Sequence, residues 1–79
     1  MTELSFIGTP ITSLPAWVAE CTSLWRLRLN NTKIVEPPDV STLANLMYLR
    51  LDGCDQLRAL PDVSANEKLE TFGKPKHLR

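Results

Sequence analysis

Apolar residues fall in a fixed register along the chain. Leu24-x-x-Leu27-x-Leu29-x-x-Thr32-x-Ile34 is followed by Leu46-x-x-Leu49-x-Leu51-x-x-Cys54, each residue 22 positions after its counterpart. Upstream, Leu4-x-Phe6-x-x-Thr9-x-Ile11 carries the later part of the string one step of 23 earlier. Downstream, Leu69-x-x-Phe72 starts it again, but Lys74 stands where the next core leucine belongs. Further columns run between the strings: Pro15, Pro37 and Pro61; Val18, Val40 and Val63; Cys21, Leu43 and Asn66; Leu24, Leu46 and Leu69. Alternation of apolar and polar residues at period two marks short strands whose leucines face one side. The shared register predicts parallel strands near Leu4–Phe6, Leu27–Leu29 and Leu49–Leu51, with Leu27, Leu29, Leu49 and Leu51 buried. Proline followed by valine in each connecting segment predicts a turn and then about one helical turn. Ala16–Cys21 is the first helix candidate, Ser41–Ala44 the second, and Ser64–Lys68 the third, with Ser64 as N-cap and Glu67 three residues on.

A period of this length carrying L-x-x-L-x-L-x-x-N/C-x-L resembles the leucine-rich repeat. The run from Leu49 to Ser64 is similar to repeats of plant-type intracellular immune receptors. Leu27 to Ile34 is similar to bacterial and protozoan repeats with T-x-I, and Ala19 to Leu29 to surface-protein repeats of the C-x-x-L type. The resemblance covers nearly the whole chain. It implies an α/β fold: a short leucine-rich-repeat solenoid with parallel strands on one face and irregular or short helical convex segments. It also implies protein recognition as the activity. The expected organisation is one domain of units at about 1–23, 24–45 and 46–68, with a partial unit at 69–79.

A single domain follows equally from the length of 79 residues. Repeat arrays need about three or more units and atypical ends, so this chain barely qualifies. It is expected to leave core poorly covered at an end, with the Leu69–Phe72 side the weaker cap, and to self-associate end to end or pack on further repeats. Nine basic and nine acidic residues give zero formal charge, which argues against non-specific binding to nucleic acid or to a membrane surface. No apolar run approaches the roughly 18 residues of a membrane span. Met1-Thr2-Glu3 does not open a signal peptide, so the expected setting is the cytoplasm, or export by a route without a cleaved signal. Cys54 shares the column of Thr9 and Thr32, where an inward hydroxyl or thiol would satisfy turn amides. Cys21 shares a core column with Leu43. Neither has a C-x-x-C neighbour, so both read as structural thiols.

Strand residues between the leucines point outward. Those sets are Glu3, Ser5 and Ile7; Arg26, Arg28 and Asn30; Tyr48, Arg50 and Asp52; and Thr71, Gly73 and Pro75. Strand spacing of about 4.8 Å sets Arg26 beside Tyr48, Arg28 beside Arg50 and Asn30 beside Asp52. Arginine grips carboxylates in bidentate fashion and stacks on rings, and like charges on adjacent strands do not help folding. Arg26, Arg28, Asn30, Tyr48, Arg50 and Asp52 are therefore the candidate partner-binding residues, for a protein or peptide of acidic character. The competing explanation is a solvated charged face balanced by Glu3, Asp52 and Glu70. Trp25 is expected to pack sideways on Met47, and Trp17 to cap the N-terminal core. Asn30-Asn31-Thr32 fits a glycosylation pattern that has no meaning without secretion. His77 reads as solvated, in a basic tail with Lys74, Lys76 and Arg79. No nucleophile motif, phosphate loop, metal cluster or cofactor signature is present, so the chain reads as a binding protein and not an enzyme. The alternatives are a non-autonomous fragment of a larger leucine-rich repeat effector or receptor, and a binder of anionic glycan or nucleic acid.

Overall fold

A computed structural model describes residues 2–78. Four short strands, β1 (Thr2–Ser5), β2 (Leu24–Arg28), β3 (Tyr48–Arg50) and β4 (Thr71–Gly73), form one sheet in the order β1-β2-β3-β4. All three pairings are parallel. Leu4 lies opposite Leu27, Leu27 opposite Leu49, and Leu49 opposite Phe72. Each strand contacts only the strands next to it in sequence.

The spacing Leu24-x-x-Leu27 conflicts with strict alternation, because residues three apart should face opposite sides. The conflict is resolved by an irregularity in the β1–β2 register: Thr2 pairs with Leu24, but Glu3 pairs with Arg26. Trp25 is the extra residue, as in a bulge. Leu24 and Leu27 are thereby both fully buried, while Trp25 and Arg26 stay half-exposed.

The core lies between the sheet and the returning segments. Val18, Leu24, Leu27, Leu29, Ile34, Val40, Leu43, Leu46, Leu49 and Leu51 have no solvent exposure. One hydrogen-bond pattern recurs in three successive segments and explains the columns. Cys21 N–H donates to Val18 O and Leu24 N–H to Cys21 O. The same two bonds link Val40, Leu43 and Leu46, and again Val63, Asn66 and Leu69. Asn66, the polar member of its column, donates its side-chain amide to Val40 O at 2.9 Å and Leu43 O at 3.0 Å. Both carbonyls already accept a backbone N–H, so Asn66 adds a second bond to each and ties its own segment to the preceding one.

The structure departs from the sequence reading in several places. Only the first helix candidate forms, as a 3₁₀ segment, η1 (Ala16–Glu20). Ser41–Ala44 and Ser64–Lys68 are successive turns. Asp39 and Asp62 supply the reason. Each carboxylate accepts the backbone N–H two residues on, from Ser41 at 3.0 Å and Ser64 at 2.9 Å, closing an Asx turn that competes with helix. Ser64 is therefore a donor to Asp62 and not an N-cap. Of the proline column, Pro61 is buried, but in the second connecting segment the buried proline is Pro38 and not Pro37. Thr9, Thr32 and Cys54 serve carbonyls, not amides: Thr9 Oγ1 donates to Phe6 O, and Thr32 Oγ1 and Cys54 Sγ both approach Leu29 O.

The C-terminal end is closed more fully than the pattern implies. Pro75, expected outward, is buried, and a 3₁₀ segment, η2 (Lys76–Leu78), lays Leu78 against the core. His77 is anchored, its Nε2 lying 2.7 Å from Leu57 O. Arg79 lies outside the described residues. Among the described residues, the two strongly exposed large apolar side chains are instead both in the first unit, Ile7 and Trp17 at 47% and 50%. Trp17 covers one side of Phe6, with ring centroids 6.3 Å apart. More apolar surface is thus open in the first unit than at the Leu69–Phe72 side. Among the described residues, no helix is long and apolar enough to cross a membrane.

Candidate functional site

The outward strand positions converge as the register requires. One row across the sheet reads Glu3, Arg26, Tyr48, Thr71, and the next reads Ser5, Arg28, Arg50, Gly73. Just past the strand ends, Gly8 N–H donates to Asn30 O and Asn31 N–H to Asp52 O. These bonds bring Ile7, Asn30 and Asp52 to the same rim. Between the rows lies a shallow depression of about 510 Å³, lined by Ile7, Arg26, Arg28, Asn30, Tyr48, Arg50 and Thr71. It takes in five of the six candidates read from the sequence. Asp52, the sixth, stands beside it as the partner of Arg50.

The three guanidinium groups have different surroundings. Arg26 donates to Glu3 at 3.1 Å, and its charge sits 4.5 Å from the Trp25 ring centroid and 5.1 Å from that of Tyr48. Trp25 and Tyr48 meet edge-to-face at 5.4 Å, a favoured aromatic geometry. Arg26 is therefore held on three sides. Arg50 is held by Asp52 in a two-pronged contact, Nε to Oδ1 at 3.0 Å and Nη2 to Oδ2 at 3.3 Å. Arg28, between them, makes no ion pair or side-chain hydrogen bond among the described residues. Glu70 makes no ion pair with any of the three.

Gly73 is part of this arrangement. A Cβ at that position would collide with the Asp52 carboxylate and with Arg50 Nε. Its absence is what allows Arg50 to lie across β4 and meet Asp52. The sequence puts Gly73 in an outward row but gives no sign of this role. Ile7 and Thr71 also fall in outward rows without being marked as site residues, and Trp25 falls outside those rows. Ile7 and Thr71 belong to flanking units, so only the step across repeats points to them. Trp25 lines a second depression with Met47, Ser23, Asn45 and Lys68. Its ring contacts, however, are with Arg26 and Tyr48.

On the opposite side, the carboxyls of Asp39 and Asp62 are held below the usual carboxylate range. Hydrogen bonds from the Ser41 side chain and backbone lower the first, and bonds from the Ser64 backbone and side chain lower the second. Among the described residues, no group of three or more His, Cys, Asp or Glu side chains is placed to hold a metal ion. Both cysteines are unbridged, Cys54 buried and Cys21 half-buried. Compared with family models, curated proteins and solved structures, the chain matches none.

Proposed function

We propose that the chain is a short leucine-rich repeat solenoid acting as a protein-interaction module, with the strand-side face as its binding surface. One observation carries the reading: Arg26, Arg28, Asn30, Tyr48 and Arg50, from two adjacent strands, share one depression, and one of its guanidiniums is unpaired. Arginine and tyrosine in such a setting are the residues that dominate binding energy at interfaces. Their attachment to paired strands over a buried leucine layer lowers the ordering cost of association. The partner is an acidic protein or peptide with some apolar surface to meet Ile7. A binding role, not catalysis, suits a face built of guanidiniums, a phenol and an amide. The unbridged thiols support a reducing, cytoplasmic setting.

The test is capture of a partner from the native source by the full chain, beside Arg28→Glu and the Arg28→Glu/Arg50→Glu double variant. Capture should weaken as salt rises, fall with Arg28→Glu and vanish with the double change, while the fold is kept. Normal capture by the double variant, with loss on changing Trp17 instead, would place binding on the opposite face. A second reading, a segment whose ends pack on further repeats, draws on the partial exposure of Leu4, Phe6, Ile11 and Leu14 in the first unit.

A further inference from the structure

The arginine row is not three equivalent cations. Arg26 is neutralised by Glu3 and pinned against Trp25 and Tyr48. Arg50 is neutralised by Asp52. Among the described residues, the depression therefore holds one uncompensated positive charge, Arg28, flanked on the strand rows by two guanidiniums already satisfied. Ile7, nearly half exposed, supplies an apolar wall, and Asn30, Tyr48 and Thr71 supply neutral polar groups.

Resting on the binding-face reading above, we propose that the depression receives one carboxylate of the partner on Arg28, with an apolar side chain from the same or the adjoining residue against Ile7. Arg26 and Arg50 are positioning residues: they wall the depression and keep Glu3 and Asp52 away from Arg28. Charge balance selects the ligand. One free guanidinium matches the single charge of a carboxylate and its two acceptor oxygens. A doubly charged group would leave negative charge facing Glu3 and Asp52. The carboxylate can come from an Asp or Glu side chain or from a chain terminus.

The probes are N-acetyl-leucine, which offers a terminal carboxylate, N-acetyl-leucyl-aspartyl amide, which offers a side-chain carboxylate, and N-acetyl-leucinamide, which offers neither. Each is titrated into the full ¹⁵N-labelled chain, following backbone amides and the arginine Nε–Hε signals. Ligands this small should bind with roughly millimolar affinity. The expected result is a saturable shift of the Arg28 Nε–Hε signal and of Thr71 and Tyr48 amides with one or both carboxylate probes, and none with the leucinamide. Whichever carboxylate probe binds tighter identifies the source. Arg28→Gln should weaken binding on the order of tenfold or more while the Arg26 and Arg50 signals stay in place. Equal binding by the leucinamide at this face would overturn the carboxylate assignment and leave the binding-face reading standing. Saturable shifts confined to Trp17 and the Pro38 segment would remove both. Shifts of Arg26 or Arg50 as large as that of Arg28, or no saturable shift with either carboxylate probe, would overturn the inference.

Discussion

Leu49 is the residue on which most of the sheet depends. It pairs with Leu27 on one side and Phe72 on the other and has no solvent exposure. Removing its side chain to Cβ leaves a cavity that neighbouring strands cannot close, at a cost of roughly 2–5 kcal/mol. Leu49→Ala should therefore lower the melting temperature sharply or abolish cooperative unfolding, as followed by circular dichroism. Gly73→Ala should behave differently. The added methyl meets the Asp52 carboxylate and the Nε and Cδ of Arg50, half-buried side chains that can swing aside toward solvent, so stability should change by about 1 kcal/mol or less. The Arg50–Asp52 pair should nonetheless separate, visible as a shift of the Arg50 Nε–Hε signal. Asp39 and Asp62 give the chain a pH dependence of known sign. Their carboxyls sit lower in the folded state than when unfolded. The stability they contribute is fully present above about pH 4, the unfolded carboxylate value, and is lost as pH falls through the lowered folded value. Thermal melts below pH 4 should be less steeply pH-dependent in the Asp39→Asn/Asp62→Asn double variant than in the parent chain.

At the scale of elements, the sequence was informative where two periodicities agreed. Period two and a step of 22 or 23 residues placed Leu27 opposite Leu49 and Arg28 opposite Arg50. Register then fixed which side chains share a row, so most of the candidate site was readable as well. Less was readable where a side chain competed with the backbone. The connecting segments around Ser41 and Ser64 had the apolar spacing of a helical turn, but Asp39 and Asp62 divert the amides. The bulge at Trp25 shows the same limit. The spacing Leu24-x-x-Leu27 required an extra residue, yet nothing in it said that the displaced indole would meet Tyr48 and Arg26. Beyond Phe72 the repeat lapses at Lys74, and no template remained for Pro75, His77 or Leu78. Their burial and anchoring come from tertiary contacts that the register does not encode. Tyr48→Ala removes the ring shared by Trp25 and Arg26 and should increase Trp25 exposure, read as a red-shifted fluorescence maximum, with little loss of secondary structure.

For the whole molecule, the two ends differ. Ile7 and Trp17 leave apolar surface open at the first unit, whereas Pro75 and Leu78 cover the last. An open end beside an unpaired strand edge invites association. Sedimentation should show concentration-dependent self-association that Trp17→Glu weakens and Lys76→Glu does not. A strict monomer at high concentration would mean that the first unit is adequately covered as it stands.

Contacts that run only between consecutive strands also decide how the molecule comes apart. There is no route by which β4 can brace β1 except through β2 and β3. Local opening that precedes global unfolding should therefore be graded by position, as in a zip with two free ends. Amide hydrogens shared between β2 and β3, such as that of Leu29 bonded to Arg50 O, should outlast those of Phe6 and Leu51 in heavy water. Of those two, Phe6, beside the less covered end, should exchange first. The arginine row lies across the slowest region, so the surface assigned to the partner is the last part of the sheet to lose its shape.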